Sequence, residues 1–127
     1  MDCLFCKIVK KEIPCDMIYE DDTVTAFLDI HPNVDGHTLI IPKKHFEDFT
    51  ELDEKTLFHM KEVATKLSNL LMEKLNKKGL TLTMNYKDAQ EIKHVHLHLL
   101  PDLHHKTKLH PLTEIKTLIT NEKASKN

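Results

Sequence analysis

Apolar and polar positions alternate most strictly at His94-Val95-His96-Leu97-His98-Leu99-Leu100, where every second side chain at first is an imidazole. A two-residue period is that of a half-buried strand, whose successive side chains point to opposite faces. The pattern predicts a strand that buries Val95, Leu97 and Leu99 and presents His94, His96 and His98 in a row. Residues 17–20 and 23–30 flank Asp21-Asp22 and read as a hairpin. His37-Thr38-Leu39-Ile40-Ile41, stopped by Pro42, reads as a third strand, and residues 80–85 as a fourth. Between them Leu57, Met60, Ala64, Leu67 and Leu71 recur at steps of three and four, the period of a helix with one apolar face. Thr50 and Asp53 resemble a capping box at its start, and Gly79 is placed to follow its end. Residues 31–36 and 86–91 read as loops, residues 112–120 as a short helix, and residues 121–127 as a frayed tail. The order of elements predicts an α+β class: an antiparallel sheet of about five strands packed with one long helix and a short helix.

Composition narrows this picture. With 127 residues, 40% hydrophobic and 30% charged, the chain is expected to form one domain, residues 1–127. A net charge of −2 gives no support to a nucleic-acid-binding surface, though one nucleotide needs only a local site. No apolar run approaches the roughly 20 residues of a membrane span, and the N-terminus lacks the order of a signal peptide. Three cysteines, an odd number, suit a reducing, cytoplasmic compartment. With only two glycines, Gly36 and Gly79, there is no glycine-rich phosphate loop, so a phosphate site must be built from side chains and ordinary backbone N–H groups.

The histidine row is the chemical signal. A single histidine on a strand is an ordinary surface residue; three in register opposite a clean apolar face are not. Neutral imidazoles can attack phosphorus, donate protons or hydrogen bonds to phosphate oxygens, or bind a metal, and spacing alone leaves all three open. Cys3-Leu4-Phe5-Cys6 is a C-x-x-C pair, by itself ambiguous between redox chemistry and zinc. A redox role is disfavoured because no β-α-β unit surrounds it.

The His94–Leu100 sequence matches the His-φ-His-φ-His-φ-φ motif of the histidine triad (HIT) family of nucleotide hydrolases and transferases. Ile13-Pro14, Tyr19-Glu20-Asp21-Asp22, Ala26-Phe27-Leu28-Asp29-Ile30, Gly36-His37-Thr38-Leu39-Ile40-Ile41-Pro42-Lys43-Lys44-His45 and Gln90-Glu91-Ile92-Lys93-His94 also resemble that family in order and spacing. The resemblance implies that His96 is the nucleophile on the α-phosphorus of a nucleoside monophosphate derivative. His98 would hydrogen-bond the phosphate near the leaving group, and His37 would lie near the phosphate. It also implies that Asp29 holds the ribose hydroxyls, that Phe27 and Ile30 wall the base, and that Asn85 and Gln90 line the phosphate side. Phe27 is equally accounted for by core packing. Ala89 departs from the family, which usually has glycine there, and the loop from Asn85 to His94 is about two residues shorter than is common. Glycine permits close backbone approach to phosphate, so the departure bears on the contacts of this loop.

Bacterial-type members of the family carry a structural zinc, and the resemblance assigns its ligands to Cys3, Cys6, His45 and His94. His94 then serves structure, while His96 and His98 serve chemistry. Cys15 is left as a bystander, His104, His105 and His110 read as loop histidines, and His31 and His59 carry no signal. The implied activity is hydrolysis at the α-phosphate of AMP derivatives, such as phosphoramidates, through a nucleotidyl-histidine. Cleavage of dinucleoside polyphosphates and a non-catalytic, zinc-stabilised nucleotide-binding module are the alternatives. The implied partners are purine nucleoside monophosphate derivatives and a second copy of the chain, with the long helix and a sheet edge at the interface. The apolar helix face is equally explained by packing within one chain.

Overall fold

The computed structural model describes residues 3–103 and 108–120. Their elements in order are α1 (Leu4–Val9), β1 (Asp16–Glu20), β2 (Val24–Leu28), β3 (Thr38–Pro42), α2 (Glu54–Lys74), β4 (Leu80–Met84), β5 (Leu97–Pro101) and α3 (Leu112–Thr120). The five strands form one sheet in the order β1-β2-β3-β5-β4, antiparallel at every pairing, which is the α+β class expected. Among the described residues no helix is long and apolar enough to cross a membrane.

The hairpin joining β1 and β2 turns where Asp21 predicts it. The Asp21 carboxylate accepts from the backbone N–H of Thr23 and Val24, at 2.8 and 2.9 Å, and from the Tyr19 hydroxyl at 2.7 Å. These donors hold its pKa well below the usual carboxylate range, against the opposing effect of burial.

Both faces of the sheet centre are covered. On one face Val24, Ala26, Leu28, Ile40, Leu97 and Leu99 pack against Met60, Val63, Ala64, Leu67 and Leu71 of α2 and Ile115 and Ile119 of α3. On the other, Phe27, Leu39 and Ile41 pack against Phe5 and Ile8 of α1. This double burial is why β2 lacks a polar face: all five of its residues are buried. Leu39 stands opposite both Phe27 and His98 in the ladder, so His98 lies on the face covered by α1.

One element was not foreseen and three expectations need correction. The N-terminal C-x-x-C pair opens a helix, with Cys3 as N-cap and its Sγ accepting from the Cys6 N–H at 3.4 Å. Six residues are too few for a period to show. The long helix starts at Glu54 after Asp53, while Thr50 lies in a separate 3₁₀ turn capped by Asp48, so Leu57 falls in the helix's first turn and is 44% exposed. That helix ends at Lys74 with Leu75 as its C-cap, so the residue that follows its end is Asn76, not Gly79. Asn76 takes φ 53°, with Asn76 N–H donating to Glu73 O and Lys77 N–H to Met72 O at 2.8 Å, a Schellman closure with asparagine in the left-handed position. Finally, the paired part of the histidine strand begins only at Leu97, so His94 and His96 lie on the approach to β5.

Candidate active site

The approach to β5 is pinned by Val95 N–H donating to Phe46 O at 2.8 Å, and Val95 and Leu97 are buried as the alternation predicts. The histidines do not remain a uniform row. The His94 ring lies 2.8 Å through Nε2 from the Pro42 carbonyl, which can only accept, so Nε2 carries the proton and Nδ1 the lone pair. That Nδ1 is 3.4 Å from Cys3 Sγ and 3.5 Å from Cys6 Sγ, and His45 Nδ1 is 3.3 Å from Cys6 Sγ. The four ligand atoms all lie within 4.8 Å of one another. A tetrahedron with ordinary zinc–sulfur and zinc–nitrogen bond lengths has sulfur–nitrogen edges of about 3.6 Å, so the donor set fits zinc in both chemistry and spacing. Burial lowers the His94 pKa to about 4, which keeps the ring in the neutral form a metal ligand requires.

His96 is fixed in the opposite tautomer. Its Nδ1–H donates to the His94 carbonyl at 2.8 Å, leaving the lone pair on Nε2. Burial lowers its pKa, and the ring packs edge-on to Phe5 with centroids 5.0 Å apart and to His98 at 4.8 Å.

His37 and His98 form a directed relay. The Asn33 N–H donates to His37 Nδ1 at 3.1 Å, so His37 must carry its proton on Nε2. His37 Nε2–H then donates to His98 Nδ1 at 2.9 Å, which leaves the His98 proton on Nε2. That nitrogen is buried and has no hydrogen-bond partner among the described residues. An unsatisfied donor of this kind costs roughly 1–3 kcal/mol until an acceptor arrives. Burial, reinforced by His96 and His37, lowers the His98 pKa to about 4, and burial lowers that of His37, although Asp29 opposes it. Asp29 stands beside the relay, its Oδ2 3.5 Å from His37 Nε2 and its Oδ1 accepting from the His31 N–H at 2.9 Å.

These groups border a cleft of about 230 Å³, whose walls include Asp29, His37, Asn85, His96 and His98. It adjoins an apolar cavity of about 300 Å³ walled by Phe5, Ile8, Phe27, Ile30 and Leu39, and the two share Asp29, His31, Glu91 and Ile92. The structure thus brings Asp29, Phe27, Ile30, His37, Asn85, His96 and His98 to two joined recesses. Phe27 is 4% exposed, so it serves core and wall together. Gln90 is not brought in: it is buried, and its side-chain NH₂ donates to Glu47 O at 2.8 Å. Ala89 does line the polar cleft.

Phe5, His31, Asn33, Glu91 and Ile92 were not singled out by the sequence pattern, yet they border the recesses. Phe5 arrives on the unpredicted α1, and the others sit in loops where no period operates. Cys15, read as a bystander, lines the apolar cavity. His59 pairs with Asp21 at 2.7 Å, and His110 bonds Asp35 through both its backbone and its ring. His104 and His105 lie outside the described residues, as does the tail from residue 121.

The HIT domain family model matches residues 10–105. Purine nucleoside phosphoramidase of Escherichia coli is 40% identical over 101 residues, covering 76% of this chain and 84% of that protein. The adenosine 5′-monophosphoramidase of Saccharomyces cerevisiae is 40% identical over 108 residues, covering 84% of this chain and 66% of that one. A zinc-bound histidine triad family protein from Mycobacterium smegmatis superposes with a TM-score of 0.87 at 32% identity, covering 98% of this chain and 95% of the other. A family model spanning most of the chain, relatives at this identity and a shared fold together establish that the protein belongs to the HIT domain family.

Proposed function

We propose that the protein hydrolyses AMP derivatives at the α-phosphorus through a nucleotidyl-His96 intermediate. The observation that carries this reading is the pairing of tautomers at one cleft: a lone pair on His96 Nε2 and an unmatched proton on His98 Nε2. His96 Nε2 forms the bond to phosphorus while the phosphorus–leaving-group bond breaks, its electron pair departing with the leaving group, which takes up a proton. The His98 N–H donates to the oxygen or nitrogen where charge develops. Water then attacks phosphorus, loses its proton, and the electron pair returns to His96 Nε2 as AMP departs. The apolar cavity would take a purine and Asp29 the ribose hydroxyls. The two relatives named as phosphoramidases support this substrate class.

The Cys3, Cys6, His45 and His94 cluster would hold zinc as a closed, structural site; a zinc-bound structural relative supports this, and zinc would contribute cross-linking, with no step of the reaction. Two cysteines held as metal thiolates and a third, Cys15, outside any disulfide fit a reducing cytoplasm. Leu57 and Phe58 on α2 and Leu82 on the edge strand β4 are 44%, 63% and 52% exposed, which supports a homodimer across that helix and edge. Light scattering should return twice the chain mass; a monomer at micromolar concentration counts against it.

The hydrolase reading is tested with AMP-lysine, a simple AMP-amine and a dinucleoside polyphosphate. Turnover should fall by about a thousandfold or more in His96→Ala, and an alkaline denaturing quench should retain labelled AMP on the wild type alone. AMP binding with neither turnover nor adduct would make the protein a binding module. Turnover confined to the polyphosphate would move it to the dinucleotide-cleaving class.

A further inference from the structure

Among the described residues, none that lines the polar cleft carries a permanent positive charge. Among the described residues its walls carry two carboxylates, Asp29 and Glu91, and no lysine, and the sequence contains no arginine at all. The hydrogen-bond chain assigns neutral tautomers to His37, His96 and His98. Sites that hold polyphosphate chains do so with arginine forks, lysines, metal ions or glycine-rich loops. Neither glycine of this chain lines the cleft. One phosphoryl group can be held here by neutral donors, but each further phosphate adds negative charge that no described residue of the cleft offsets.

Glu91 stands where the recesses join. It borders the polar cleft, the apolar cavity and a third recess of about 430 Å³ that opens beside Cys3 and His45. That third recess also carries Glu47. Lys93 lines it too, its Nζ donating to the Lys87 carbonyl at 2.6 Å, so this recess sets two carboxylates against one ammonium. With a base in the apolar cavity and phosphorus facing His96, the recess beside Glu91 remains for the third part of a ligand. We propose that Glu91 is a specificity-determining residue that reads the charge of the leaving group, favouring ammonium-bearing amines over anionic groups such as polyphosphate. This rests on the reading of the chain as a hydrolase of AMP derivatives.

The test uses three AMP phosphoramidates of matched chain length, whose amines end in an ammonium, a methyl or a carboxylate. In the wild type, kcat/KM for the ammonium conjugate should exceed that for the carboxylate conjugate about tenfold, the scale of one charge pair in a solvated cleft. Glu91→Gln should reduce that ratio to about twofold, and Glu91→Lys should reverse it. Because the readout is a ratio within each protein, a general loss of activity does not mimic it. The same conjugates are bound by calorimetry to His96→Ala and to the double variant with Glu91→Gln. A ratio unchanged by Glu91→Gln, in turnover or in binding, overturns the assignment even if the protein is a hydrolase. Absent turnover, with a charge order in binding that Glu91→Gln abolishes, overturns the hydrolase reading and supports Glu91.

Discussion

His37, His94, His96 and His98 have their tautomers set by a backbone group or by another imidazole, and for His94 and His98 that partner is distant in sequence. His94 is set by Pro42, 52 positions away, and His98 by His37, 61 positions away. The repeat predicts where the rings are; it says nothing about which nitrogen of each holds the proton. That matters for pH. The relay works while His98 Nδ1 is unprotonated, and its pKa of about 4 keeps it so near neutrality. Unfolded histidine titrates near 6.5, so between these values the unfolded chain binds the proton first. The stability this group contributes is therefore complete above about pH 6.5 and is lost as the pH falls toward 4. The melting temperature should drop between pH 7 and pH 5, and His98→Asn, which does not titrate, should shrink the drop by a few degrees. An equal drop in both proteins would assign the acid sensitivity elsewhere.

Elements that carry a long period were legible, and those fixed by one or two residues were not. α2 and the strands follow from apolar spacing, and the predicted C-terminal helix has the bounds observed for α3, Leu112–Thr120. The end of α2 was misplaced because glycine is the commoner left-handed residue, whereas here asparagine holds that position. With Asn76 at φ 53°, Asn76→Ala should destabilise the fold by about 1 kcal/mol, while Asn76→Gly should be neutral or slightly stabilising. Urea midpoints of the two variants separate this from a side-chain effect, which would penalise both alike. Gly36 has a different constraint, legible only in three dimensions. At φ 84° a Cβ there would come within 2.5 Å of Leu75 Cδ1, which couples the loop before His37 to the end of α2. Gln90 shows the limit of reading roles from neighbours in sequence: its place in the chain follows the family pattern, but its side chain is held by Glu47 on another loop.

At the scale of the molecule, the cluster of Cys3, Cys6, His45 and His94 joins segments up to 91 residues apart. Its convergence was legible only through family resemblance, since no spacing relates residues so far apart. Its consequence for the site lies in α1. A helix of six residues is far below the length that is stable alone, so it depends on its packing and on the cysteines at its start. Phe5 on that helix stands 5.0 Å from His96 and 5.6 Å from Phe27, and with Ile8 it walls the apolar cavity. Metal binding should therefore act on nucleotide affinity as well as on stability. Elemental analysis should find about one zinc per chain. Removing it with a chelator should lower the melting temperature by about 5–10 °C and weaken AMP binding about tenfold, with both restored by added zinc. Cys6→Ser should reproduce both losses, whereas Cys15→Ser should keep its zinc, because Cys15 lines the cavity but lies outside the cluster. If AMP affinity survived complete metal loss while the melting temperature fell, the cluster would stabilise the fold without shaping the cavity, and α1 would hold its place through Phe5 and Ile8 alone.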